Sequence, residues 1–100
     1  MREVALPAAR AVLAFGREQY ARAAYLAAPL RNDLWRLGGS RAQRDTLDLM
    51  VLEAAIRGGR SRLAQAIVAE RKAAAPLTPR ARVQAARADA LADAAARAAA

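Results

Sequence analysis

The sequence predicts an all-α fold of stacked antiparallel helical hairpins, and three observations carry that prediction. Thirty-one of the 100 residues are alanine, the best helix former and a poor strand former. No run of alternating Val, Ile, Thr or aromatic residues signals a sheet. Glycine pairs and prolines fall between apolar stretches, as they do where helices are joined by short breaks.

A first helix is expected from about Pro7 to Gly16, with Pro7 in the first turn, where a missing N–H costs nothing. After a break at Gly16–Gln19, a second helix runs from about Tyr20 toward Leu30. Its small-residue stripe of Tyr20, Ala23, Ala24 and Ala27 lets another helix approach closely. Pro29 should kink or end it by removing the bond to the Tyr25 carbonyl. Leu30, Leu34, Trp35 and Leu37 continue at helical spacing, so more helix is expected beyond the kink.

Gly38-Gly39-Ser40 ends that stretch, and Ser40 with Gln43 forms a capping box worth about 1 kcal/mol to the next helix. The third helix, about Arg41 to Arg57, carries Leu47, Leu49–Leu52 and Ala54–Ile56 around most of its circumference. A helix apolar on nearly every side is buried between neighbours. Gly58-Gly59 ends it, and Ser61 should cap a fourth helix over Arg62 to Ala74. That helix turns Leu63, Ala64, Ile67 and Val68 inward and leaves Arg60, Arg62, Arg71 and Lys72 to water. Pro76 closes it. Thr78 and Pro79 then suit the N-cap and first position of a fifth helix, with an inner stripe of Val83, Ala86, Ala90 and Leu91 and a fraying end over Ala92–Ala100.

The 56% hydrophobic fraction overstates the core, because alanine leaves only 25 larger apolar side chains. Three of them, Leu77, Val83 and Leu91, lie beyond Val68, so the last third covers a core rather than building one. The formal charge of +8 suits an anionic partner, nucleic acid included. Sixteen of the 17 basic residues are arginine and they are spread along the chain, which also fits the codon bias of a GC-rich bacterial genome. Without cysteine or histidine there is no disulfide and no thiolate or imidazole metal site, and no cofactor is expected. No apolar run approaches the ~18–20 residues of a membrane helix. Glu3, Pro7 and Arg10 interrupt any signal-peptide pattern, so a cytoplasmic protein is expected.

Two helix–break–helix units are visible, about 7–37 and 40–75, and their second helices align Ala23 with Ala64. Gly59 stands five residues before Ala64 and Pro76 twelve after it. Tyr20 stands three before Ala23. Those spacings resemble the tetratricopeptide repeat, with Leu52 at a position usually small. Gly38-Gly39-Ser40-Arg41-Ala42-Gln43-Arg44-Asp45 further resembles a GGS-x-AQRD stretch in the C-terminal part of the tetratricopeptide repeat protein 38 family. Pro29-Leu30-Arg31 resembles that family's PLR. Asp48, Glu53-Ala54-Ala55 and Ala69-Glu70-Arg71 follow in the matching order. The resemblance covers roughly Ala14 to Arg82, and Arg41 stands where His or Asn is expected. It implies a short tetratricopeptide-like solenoid over residues 1–76, capped by an Ala/Arg-rich helix over 77–100. Members are several times longer, so it also implies a piece of a longer protein, and it implies no catalytic activity.

The function expected is a non-catalytic scaffold that binds another protein; the alternative is a basic helical nucleic-acid binder. Candidate partner-binding residues are Tyr25, Trp35, Gln43, Arg44 and Asp45. Each has a plainer reading. Trp35 reads first as core packing on the third helix, and Gln43-Arg44-Asp45 as helix capping with an ion pair. Tyr20 reads as inter-helix packing. Asp48 and Glu53, five residues apart on a helix, sit about 140° apart and do not form an acid/base pair. Neither glycine pair has a phosphate-gripping context.

Overall fold

The computed structural model describes residues 2–100, apart from the side chains of Arg2 and Leu37. It contains α1 (Arg2–Gly16), α2 (Tyr20–Ala27), a 3-10 helix (Ala28–Leu37), α3 (Arg41–Arg57), α4 (Ser61–Ala74) and α5 (Pro79–Ala99). No strand occurs among the described residues. The helix α3 lies at the centre, against α2, the 3-10 helix, α4 and α5.

Small residues make the core. Ala11, Ala23, Ala54, Ala55, Ala64 and Ala88 are essentially inaccessible, and Leu52, Ile67, Val51 and Val4 are the largest side chains fully enclosed. Alanine ridges bring backbones together, and the closest approach is at Gly58. A Cβ placed there would stand 2.7 Å from the Ala21 nitrogen and 2.9 Å from the Ala54 carbonyl oxygen.

The two tight turns have the same geometry at an offset of 41 residues. Glu18 and Gly59 take positive φ of 61° and 73°. Gln19 (φ −89°, ψ 70°) and Arg60 (φ −90°, ψ 71°) follow as N-caps. The Gln19 N–H donates to the Ala14 carbonyl at 2.9 Å, and the Arg60 N–H to the Ala55 carbonyl at 2.8 Å. Glu18 bears the left-handed strain that Gly59 avoids.

Several sequence expectations need correction. Helix α1 starts at Arg2 and holds Pro7 in its interior, because Val4 is buried and the ring removes only the bond to the Glu3 carbonyl. Pro29 ends α2 outright, and the chain continues as a 3-10 helix. With three residues per turn, Arg31 and Leu34 share one face of it. Leu34 is therefore buried and Trp35 points outward, 65% exposed, instead of joining the core. The Leu37 side chain lies outside the described residues. Ser61 is the first residue of α4 and not its cap; the short turn places Arg60 there without a side-chain cap bond. The Ser40–Gln43 capping box forms as expected, at 2.8 and 3.1 Å, and Thr78 caps α5.

The face of α5 is also reversed. Ala81, Gln84, Ala85 and Ala88 are buried, whereas Val83 is 61% exposed and Ala86 and Ala90 are exposed. Polar contacts from Gln84 and Arg87 to Glu53 turn the helix this way. The end of α5 stays helical to Ala99.

Gly58 and Gly16 make a matched test. Gly58→Ala should cost about 1–3 kcal/mol by forcing α2 away from α3. Gly16→Ala, with nothing within 4 Å of the added carbon, should be neutral or slightly stabilising. Thermal denaturation of the two variants measures the difference.

Candidate functional site

A groove of about 580 Å³ is lined by residues of α1, α3 and α5. Phe15 of α1, Leu49 and Met50 of α3 and Val83 of α5 supply its apolar surface. Thr46, Glu53 and Gln84 add polar atoms, and Arg57, Arg80 and Arg87 are its cations. Phe15 is fixed by an edge-to-face contact with Tyr20, centroids 5.3 Å apart, and Arg57 covers the Tyr20 ring at 5.2 Å. Tyr20 thus serves inter-helix packing, as its plainer reading expected.

Glu53 organises the groove's polar side. Its carboxylate accepts from Arg87 at 2.7 and 2.9 Å, from Arg57 one turn away at 2.6 Å, and from the Gln84 amide at 3.2 Å. The Arg87 hydrogen bonds, aided by Arg57 and Gln84, outweigh burial and hold the Glu53 carboxyl at about 2. At neutral pH it is a fixed anion and a poor proton acceptor. Arg80 has no carboxylate partner among the described residues.

A second cleft, about 340 Å³, lies beside the 3-10 helix and gathers Trp35, Arg44 and Asp45 with Arg31, Leu34, Arg41 and Asp48. Three of the five expected site residues therefore meet, though two are occupied. Arg44 donates to the Gly39 carbonyl at 2.9 Å, and Asp45 pairs with Arg71 at 2.9 Å. Gln43 spends its side chain on the capping box. Tyr25 lines neither cleft and is 72% exposed on α2.

Asp48 stands beneath this cleft and accepts from Arg31 at 2.6 and 3.3 Å and from Arg71 at 2.9 Å. Arg31 also reaches Glu70 at 2.7 Å. Arg71 is thus drawn inward, not left to water, and its side chain is 17% exposed. Burial lowers the affinity of both arginines for their protons, and the surrounding carboxylates more than restore it, so both stay cationic. Arg31, Asp45, Asp48, Glu70 and Arg71 are residues on which the family resemblance rests, and the fold joins them in one network across three helices.

Sequence reasoning missed the groove. The Glu53–Arg57 pair was legible from its four-residue spacing. The reach of Arg87 across to Glu53 had no local signal. No family model matches the chain, and no solved structure matches it.

Glu53 predicts acid sensitivity. A carboxyl at about 2 when folded and near 4.5 when unfolded stabilises the fold above pH 4.5, and that contribution is lost as pH falls toward 2. Thermal midpoints measured from pH 6 to 2 should fall below pH 4.5. Glu53→Gln should flatten that fall and lower stability at pH 7.

Proposed function

We propose that the chain is a non-catalytic protein-interaction module, a short tetratricopeptide-like stack that takes a segment of a partner protein in the α1–α3–α5 groove. The groove itself carries the reading. Three helices present half-buried Phe15, Leu49 and Met50 and exposed Val83 beside arginines, the kind of arrangement by which stacked helical repeats form concave binding surfaces. Repetition of one turn at a 41-residue offset supports the stack, as does the network that joins the resemblance residues.

The chemistry of the groove selects the segment. Val83, Leu49 and Met50 suit one or two bulky apolar side chains, and Arg80 suits a carboxylate next to them. A catalytic reading finds less support: Asp48 and Glu53 are each gripped by two arginines, which leaves neither available as a base. No helix among the described residues is long and apolar enough to cross a membrane.

Fluorescence anisotropy with short peptides that pair Leu or Phe with flanking Glu tests the proposal. Wild-type protein should bind them and ignore the matching Lys peptides. Val83→Asp should weaken binding by roughly tenfold or more, about 1.4 kcal/mol. Binding of duplex DNA alone, falling steeply with added salt, would replace this reading with the nucleic-acid one.

A further inference from the structure

The shared turn geometry gives each α1 residue a counterpart 41 positions later on α3. On α3 the stripe Leu47, Val51, Ala54 and Gly58 faces α2 and the 3-10 helix. Leu47 and Val51 border a small void with Ala27, Leu30 and Leu34, and Gly58 abuts Ala21. Ala54, between them, is fully buried. These contacts also fix the direction, since the start of α2 meets the end of α3.

The counterparts are Leu6, Arg10 and Leu13 on α1 and Arg17 just beyond its end, and this stripe is bare. Leu6 is 43% exposed, Leu13 51%, and Val12 beside them 47%. Arg10 and Arg17 are exposed and pair with no carboxylate among the described residues. The helical face that the first unit's α2 and 3-10 helix cover on α3 is uncovered on α1.

We propose that this α1 face docks an acidic amphipathic helix of a partner protein, laid antiparallel to α1 as α2 lies on α3. The fold states the orientation of the occupant, because the equivalent face of α3 accepts α2 laid antiparallel to it. Charge states its chemistry. Leu6 and Leu13 are two turns apart, and so are Arg10 and Arg17, about 10.5 Å along the axis. The complement is an aliphatic seam with carboxylates seven residues apart. A second copy of this chain does not supply it: none of its helices carries more acidic than basic residues, and the net charge is +8. This docking rests on the repeated turn and is independent of what fills the groove.

The test uses the full chain and a synthetic helix of about 20 residues, with a leucine seam flanked by glutamates seven apart, and its lysine counterpart. Isothermal titration should show binding of the glutamate helix and none of the lysine helix. Leu13→Asp and Arg10→Glu should each weaken binding roughly tenfold. Both side chains are exposed, so circular dichroism should show the fold unchanged. Because the groove is itself proposed to take Leu/Glu segments, docking on α1 is read as the binding that persists in the Val83→Asp protein and is lost on adding Leu13→Asp or Arg10→Glu. Absence of binding overturns the proposal. So does binding lost only with Val83→Asp, which would return the helix to the groove. A dimer in sedimentation that Leu13→Asp dissolves would assign the face to a second copy. Attachment to phosphatidylserine vesicles without peptide binding would assign it to a lipid surface; both outcomes overturn the acidic-helix assignment.

Discussion

Close backbone approach governs this molecule. With 31 alanines and 25 larger apolar residues, the chain cannot fill wide spaces between helices, so the helices must nearly touch. Each alanine buries little area, and stability comes from many contacts at short distance rather than from a few large side chains. Gly58 against Ala21 is the extreme of this regime. Leu52 and Ile67 fill what the alanines leave on the inner side of the second hairpin. The first hairpin has only Val4 of comparable size fully enclosed, and it depends correspondingly on the 3-10 helix that Pro29 imposes.

A core so thin in bulk makes the ionic contacts matter more than they would on an ordinary surface. Two carboxylates on α3 hold its neighbours. Asp48 ties in the 3-10 helix through Arg31 and α4 through Arg71, while Glu53 ties in α5 through Arg87. Both carboxylates are largely shielded, with side chains 17% and 15% exposed. Such pairs are screened less by salt than exposed ones, and each of the two carboxylates is held by two arginines at once. That directional grip gives α3 a fixed orientation that alanine contacts alone, being nearly featureless around the helix, would not specify.

The legible part of the fold was local. Ser40 with Gln43, Thr78 with Pro79, and the glycine and proline breaks each act within four residues, and each did what its chemistry dictates. What failed was rotation about a helix axis. Trp35 was assigned a position on a 3.6-residue spiral, but a three-residue turn follows Pro29 and sends it outward. On α5 two apolar readings compete around the circumference, because alanine occurs on both sides. The choice falls to Glu53, 34 residues away from Arg87, and no local pattern encodes that. The candidate site was partly legible for the same reason. Trp35, Arg44 and Asp45 gather because they flank one glycine break, whereas the groove joins three helices distant in sequence.

The two sides of α3 differ in where charge is placed. Leu47, Val51, Ala54 and Gly58 on one side are covered by α2 and the 3-10 helix, and this stripe is itself uncharged, with the Arg31–Asp48 pair joining the same elements beside it. On another side Leu49, Met50 and Glu53 are half-buried and Arg57 is exposed, with charge placed beside apolar surface. An uncharged stripe suits permanent contact, since its own side chains carry no charge that must lose hydration when the helices close. A mixed surface suits a partner that comes and goes, since charge guides encounter and apolar area supplies affinity. By that criterion the α1 stripe, where Arg10 and Arg17 stand in place of Val51 and Gly58, is a mixed surface, in keeping with the docking proposed for it.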